Sequence, residues 1–131
     1  MKITRAGTSK TTWAPAESFT GRVRVETCFS TDAPARAKGN YVTFEPGART
    51  HWHSHDLGQT IIITHGRGRV QRDGGPVETV RVGDVVFFEP GEKHWHGGDI
   101  DSAMTHLTVG EVLGGKSVDW AEPVTDEQYR G

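Results

Sequence analysis

The chain consists of short runs in which polar and apolar residues alternate, separated by turn-forming residues. Residues 22–29 place an apolar side chain at nearly every second position, as a half-buried strand does. Pro46-Gly47 and Pro90-Gly91 are turn pairs, and Gly66 and Gly68 are predicted to bracket another turn. Turn signals spaced by roughly 8–12 residues indicate an all-β sandwich or barrel. Further strands are predicted over residues 41–44, 59–64, 69–72, 77–82 and 84–88, around Trp95, and over 104–109.

The two ends of the chain do not follow this alternation. Residues 1–20 are polar without a clear period, and we predict an N-terminal arm with at most one short edge strand. Thr125 and Gln128 have the spacing of a helix capping box, which predicts a C-terminal helix of one or two turns. No repeat or low-complexity segment divides the chain, so residues 1–131 are expected to form a single domain.

Composition removes several classes of function. The formal charge of -2 leaves no basic surplus of the kind that nucleic-acid-binding proteins carry. No apolar run is long enough to span a membrane, and the first residues do not have the character of a secretory signal. Cys28 is the only cysteine and has no partner for an internal disulfide, so we expect a reduced, cytoplasmic protein.

All seven histidines lie between residues 51 and 106. Residues two apart in a strand point to the same face, so the histidines within 51–55 share one face. The same rule gives three further same-face sets, which are Gln59 with Ile61 and Ile63, His94 with His96, and Met104 with His106 and Thr108.

The pair His53-x-His55 is the strongest chemical signal. A single histidine is usually a core or surface residue, but two imidazoles on one face can bind one divalent ion. A solvent-facing pair alternates in the same way, so the spacing alone leaves both interpretations open.

Two stretches resemble the motifs of the cupin family. Residues 47–66 match the first motif, a glycine, His-x-His, an acid and a closing glycine, with Gln59 at the position of the acid. Residues 83–97 match the second motif with Gly83, Gly91 and His94 in register, although the proline is one position late and Gly98 replaces the final Asn. The resemblance implies a cupin barrel, a double-stranded β-helix or jelly roll, whose core with both motifs covers about residues 40–110.

The sequence is also similar to small bacterial cupins that act as manganese-dependent hydroxynitrile lyases. The matching segments are FEPGART, LGQT, GDVVFF, PGEKHWHG, AMTHL, VDW and VTDEQYR. Departures from that group are His51, where a smaller residue is usual, and Asp56, where proline is expected. The resemblance implies a metal site on His53, His55, Gln59 and His94, with His106 as catalytic base.

These ligands would give the ion a particular character. Three neutral imidazoles and an amide leave a divalent ion with its full charge, which favours Lewis-acid chemistry over oxygen activation. Mn²⁺ is the expected metal from the resemblance, while Fe²⁺, Ni²⁺, Co²⁺ and Zn²⁺ also accept imidazole. The predicted function is cleavage of cyanohydrins such as mandelonitrile to an aldehyde or ketone and cyanide. The alternatives are a dioxygenase-type cupin and a ligand-binding cupin.

Other residues are given weaker roles. His96 lies next to a glycine pair, and we expect it at the surface or behind the ligands, while His51 is placed at the barrel rim. Trp52 and Trp95 should face away from the ligands. An apolar pocket above the metal is expected from Ile61, Ile63, Phe87 or Phe88, Val42 or Tyr41, and Met104.

The N-terminal arm also bears on assembly. Trp13 and Phe19 have no evident place in the barrel core. A barrel of this size also buries the outer face of its strands poorly. We therefore expect a homodimer or homotetramer with the arm or the outer sheet face in the contact.

Overall fold

The computed structural model describes all residues from 1 to 131 and consists of twelve strands and one helix. In chain order these are β1 (Thr11–Trp13), β2 (Phe19–Thr20), β3 (Val23–Ser30), β4 (Ala37–Phe44), β5 (Arg49–Thr50), β6 (His53–Ser54), β7 (Gln59–Arg72), β8 (Glu78–Arg81), β9 (Val85–Phe88), β10 (His94–Gly98), β11 (Met104–Glu111), β12 (Asp119–Trp120) and α1 (Asp126–Arg130). The predicted all-β fold with a short C-terminal helix is confirmed.

The strands form two antiparallel sheets that share β7. The first sheet contains β1, β3, β4, β11, the first half of β7 and β9. The second contains β2, β5, β6, β8, β10, β12 and the second half of β7. A strand that belongs to both sheets curls them around one interior, which is where the core and the histidines lie.

The prediction of a turn between Gly66 and Gly68 is wrong, because β7 runs unbroken for 14 residues. Gly66 has a φ of 71°, and an added Cβ would collide with the carbonyl oxygen of Ala103. Glycine at this position lets the strand bend from one sheet into the other while packing closely on the segment that contains Ala103. The sequence signal of a turn therefore marks a corner within a strand.

The main core lies between the two sheets and consists of apolar side chains from alternate strand positions. Phe44 and Ile61 are fully buried, and Ile63 and Met104 lie beside them. The inward orientation predicted for Ile61, Ile63 and Met104 is confirmed, and His106 on the same strand as Met104 is also fully buried. These side chains fill the part of the barrel below the histidine cluster.

A second apolar cluster lies on the outside of the ligand-bearing strands, under the C-terminal segment. Trp52 and Trp95 pack there with Val124 and Tyr129, so the outward orientation predicted for both tryptophans is confirmed. The predicted capping box of α1 is present, with Thr125 as N-cap and Gln128 bonded back to it. The C-terminal segment thus covers both tryptophans on the outside of the barrel.

The N-terminal arm contains two short strands instead of the single one predicted. Phe19 on β2 lies half-buried between Phe44 and Trp120, so the expectation that it has no place inside the barrel is wrong. Trp13 is 60% exposed. The helix α1 has five residues, and the chain contains no helix with the length and apolar character needed to cross a membrane.

Candidate metal centre

The centre of the site is formed by two strands that meet side by side. His53 on β6 pairs directly with His94 on β10, and their ring centroids are 4.3 Å apart. Both rings are buried, with 2% and 0% exposure. Their inward orientation follows from the strand register, since Trp52 and Trp95 beside them occupy the outer layer.

His55 and Gln59 complete the group of four predicted ligands. The ring of His55 lies 5.2 Å from that of His53 and 5.6 Å from that of His94. Gln59 lines the same cavity as His53 and His55, and its Oε1 is 3.3 Å from His94 Nε2. The fold therefore brings the four side chains together from β6, the turn after it, β7 and β10.

Backbone carbonyls determine which nitrogen of each imidazole is available. Nδ1 lies 2.9 Å from the His51 carbonyl in His53, 2.5 Å from the Ser117 carbonyl in His55, and 2.7 Å from the Glu92 carbonyl in His94. A carbonyl oxygen only accepts, so each Nδ1 donates its proton and each Nε2 carries a lone pair.

Two of these lone pairs have no hydrogen-bond donor to satisfy them. His55 Nε2 is buried without a hydrogen-bonding partner, and His94 Nε2 faces the Gln59 carbonyl oxygen, another acceptor. Burial lowers the pKa of His94 to about 3, so a proton does not fill this space at neutral pH. Burial, followed by repulsion from His94, holds the pKa of His53 well below its usual range. Such a donor set fits a divalent metal ion.

His96 lies closer to the centre of the site than its sequence context indicates. It is only 3% exposed and lies on the floor of the cavity, so of the two predicted locations, at the surface or behind the ligands, the surface is wrong. Its ring is 5.1 Å from that of His53, and one nitrogen from each of His53, His94 and His96 lies within 4.8 Å of the others. The signal available in the sequence was its shared strand face with His94.

His106 lies behind His96. Its Nε2 is 2.9 Å from His96 Nδ1, it has no exposed surface, and it does not line the cavity. Burial lowers the pKa of His106 to about 4. Burial, followed by repulsion from His106, holds the pKa of His96 well below its usual range, so both rings are neutral near pH 7. His96 Nε2 and His106 Nδ1 are buried without a hydrogen-bonding partner. The pair thus forms a chain of two imidazoles that leads from the cavity into the core.

The cavity above the histidines has a volume of about 170 Å³. Its polar floor contains His53, His55, Gln59 and His96, while its apolar wall comes from Phe19, Val25, Val42, Val118 and Trp120. Val42 was predicted for this wall. Ile61, Ile63 and Met104 instead pack in the core, Tyr41 and Phe87 are exposed, and Phe88 lies flat against His94 with centroids 3.6 Å apart.

The other two histidines lie outside this centre. His51 is buried and contributes its carbonyl to His53, and it does not line the cavity. His65 is exposed on β7. Neither ring takes part in the convergence of nitrogens.

These features define a small β-barrel protein with an apolar cavity and buried imidazoles placed to hold a divalent metal ion. Residues 40–110 match the cupin domain family. A curated (R)-mandelonitrile lyase from Granulicella tundricola is 57% identical over 130 residues, which is 99% of each protein. The chain therefore belongs to the cupin family.

Solved structures agree with this assignment. A cupin-like protein from Thermotoga maritima is 36% identical, with a TM-score of 0.84 over 99% of this chain and 96% of that one. The polyketide cyclase RemF from Streptomyces resistomycificus superposes with a TM-score of 0.78 over 99% of this chain and 91% of that one, at 19% identity. The second similarity concerns the fold alone.

Proposed function

We propose that this protein is a divalent-metal-dependent hydroxynitrile lyase that cleaves cyanohydrins of the mandelonitrile type. The observation that carries the proposal is the convergence of unprotonated imidazole nitrogens at the floor of an apolar cavity, in a chain 57% identical to an (R)-mandelonitrile lyase. (R)-Mandelonitrile is therefore the first substrate to test, with benzaldehyde and hydrogen cyanide as products.

The proposed ligands are Nε2 of His53, His55 and His94 together with Oε1 of Gln59. Their support is the set of Nδ1–carbonyl bonds, which leave those atoms free to coordinate. Mn²⁺ is the proposed metal, because the sequence is similar to manganese-dependent cupin lyases. When bound, the ion supplies positive charge that stabilises the negative charge developing during cleavage.

His96 and His106 accept and return the proton of the cyanohydrin hydroxyl. His96 Nε2 accepts the cyanohydrin hydroxyl proton, and His96 Nδ1–H passes its proton to His106 Nε2, 2.9 Å away. The hydroxyl oxygen then forms the carbonyl double bond, the carbon–carbon bond to the nitrile breaks, and cyanide leaves with the bonding electrons. Return of the proton along the same path gives hydrogen cyanide and restores both neutral rings.

The apolar wall binds the rest of the substrate. Phe19, Val42 and Trp120 offer an aromatic or aliphatic substituent an apolar surface. Because that wall faces the histidine floor, the substituent is held away from the polar groups while the hydroxyl and nitrile are directed towards them.

An assay with and without oxygen tests the proposal. Protein loaded with Mn²⁺ should release cyanide from (R)-mandelonitrile at the same rate in both conditions, since the reaction is not an oxidation. Oxygen consumption without cleavage would favour the dioxygenase-type alternative. A protein that holds the ion but cleaves no cyanohydrin would favour the ligand-binding alternative.

We also propose that the protein forms a homodimer or homotetramer in the cytoplasm. Support comes from large apolar side chains outside the core, with Trp13, Val85 and Phe87 all more than half exposed. Phe19 is not available for such a contact, because it lines the cavity. Light scattering at micromolar concentration should give a multiple of the 14.4 kDa chain mass, and a monomer mass would refute this proposal.

A further inference from the structure

A short segment between β11 and β12, residues 112–118, forms one side of the cavity and is called the strap here. Leu113 and Lys116 pair through two backbone hydrogen bonds of 2.9 and 3.0 Å around the tip Gly114-Gly115. The tip is exposed, whereas Ser117 and Val118 at the base of the strap line the cavity. The strap therefore reaches from solvent to the site.

The strap holds one of the proposed metal ligands. His53 and His94 each donate Nδ1–H to a carbonyl two residues earlier in their own segment. His55 instead donates to the carbonyl of Ser117, 62 residues away, at 2.5 Å. The orientation of the His55 ring therefore depends on the position of the strap, while those of the other two rings do not.

Side chains fix the strap in this position from both sides. Lys38 Nζ on β4 donates to Ser117 Oγ at 3.0 Å. Lys116 Nζ lies 2.9 Å from Asp119 and 3.4 Å from Asp56, the residue after His55. Together these contacts hold the Ser117 carbonyl against His55, but both ion pairs are about half exposed and give only modest stabilisation.

We infer that the strap is a positioning element for His55, so that closure of this side of the cavity and metal binding stabilise one another. His55 would hold the ion with the nitrogen that Ser117 leaves free, and a ring fixed in this way would keep the Ser117 carbonyl in place through Nδ1. Coupling of this kind is reciprocal, so loosening the strap weakens metal binding. The inference rests on the proposed metal site.

The first test measures metal affinity without using activity. The double substitution K116A/S117G removes the contacts of Lys116 with Asp56 and Asp119 and that of Ser117 with Lys38. The backbone that carries the Ser117 carbonyl then becomes more mobile. Competition with a chelator should show that Mn²⁺ affinity falls by about 10-fold. That value is the low end of the loss in metal affinity expected when a ligand loses its hydrogen-bonding partner. R36A is the matched control, since Arg36 forms an equally exposed ion pair with Glu111 at the same end of the barrel. That control should bind Mn²⁺ as the native protein does.

The second test uses the native protein. Adding Mn²⁺ to metal-free protein should slow amide hydrogen exchange in residues 113–118 more than in the exposed turn at residues 81–84. Equal exchange with and without the ion, together with native affinity in K116A/S117G, would overturn the inference. If the native protein still cleaves cyanohydrins when that result is found, the inference fails but the proposed function holds. Conversely, strap protection without any cleavage would support the inference and contradict the lyase.

Discussion

The two faces of β10 serve different purposes. On the inner face, the His94 ring lies 4.3 Å from that of His53, and His96 lines the cavity floor with its ring 4.7 Å from that of His106. On the outer face, Trp95 is fully buried against Tyr129 and donates Nε1–H to Gln71 at 2.8 Å. Neighbouring residues of one strand therefore serve the site on its inner face and the packing of the protein on its outer face.

The same division occurs at the preceding motif, where Trp52 faces outward and His53 faces inward. The outer layer thus supports from behind both strands that carry the proposed ligands. If the two faces are independent, inner-face substitutions should remove metal or activity with the fold kept. Outer-face substitutions should lower stability while the folded molecules keep their metal.

The largest effect is expected from removing two proposed ligands on the inner face. H53A/H94A should lose most of its Mn²⁺, and cyanide release should fall to the background rate, because two of the four proposed ligands are gone. Metal analysis after gel filtration measures the first result. H65A, which changes an exposed histidine, should keep both properties. Full metal content in the double variant would contradict the ligand assignment.

The next effect concerns His106, which lies on the inner side but outside the ligand group. H106A should keep the metal and the fold while cleavage slows by roughly 100- to 10,000-fold, the usual contribution of general acid–base catalysis. Steady-state cleavage of (R)-mandelonitrile and circular dichroism measure the two results. Native cleavage by metal-loaded H106A would assign the proton transfer to another group.

The pH profile sharpens the same prediction. An unperturbed histidine would produce a limb near pH 5–7, but burial lowers the pKa of His106 to about 4. Only the neutral ring accepts a proton, so cleavage should persist through pH 6 and be lost as the pH falls towards 4. Loss of cleavage near pH 6.5, with the metal still bound, would mean that His106 is not the accepting group.

On the outer face, the expected result is the reverse. W95A should lower the free energy of unfolding by about 3–5 kcal/mol, because it removes a fully buried indole and leaves a cavity beside Tyr129. I100A is the control, since that side chain is 51% exposed, and its effect should stay within about 0.5 kcal/mol. Urea unfolding of both metal-loaded variants gives the comparison. Metal loss from folded W95A would show that the faces are coupled.

The smallest effect is expected at the contact between α1 and β10. Tyr129 donates its hydroxyl to the Gly98 carbonyl at 2.8 Å, and the Arg49 guanidinium lies 4.7 Å from its ring centroid. Y129F loses only the hydrogen bond, so unfolding should become easier by about 1 kcal/mol with unchanged Mn²⁺ affinity. A shift in metal affinity without a change in stability would contradict the separation of the faces.

Local patterning predicted the parts of the site that lie on one strand or one motif. Strand alternation gave which side chains share a face and set Trp95 opposite His94, because both depend only on neighbouring residues. The capping box of α1 was readable for the same reason. The resemblance to the cupin motifs then implied that the face with His53, Gln59 and His94 points inward. Motif spacing then supplied the proposed ligand set.

The parts that could not be predicted depend on contacts between distant segments. The Ser117 carbonyl reaches His55 across 62 residues, and Phe19 enters the cavity wall from the N-terminal arm. Gly66 has the sequence character of a turn, but its role as a corner becomes clear only from the closely packed Ala103 carbonyl. His96 resembled a turn residue because of the following glycines, yet both Gly97 and Gly98 are buried within β10.

The most direct test of the central claim is to follow metal binding and cleavage in one titration. Metal-free protein is titrated with Mn²⁺ under nitrogen while bound ion and cyanide release from (R)-mandelonitrile are measured on the same samples. We predict that both quantities rise together and reach their maximum at about one ion per chain. Cleavage that does not depend on the ion, or a fully loaded site without cleavage, would contradict the proposal that this histidine cluster is the metal centre of a hydroxynitrile lyase.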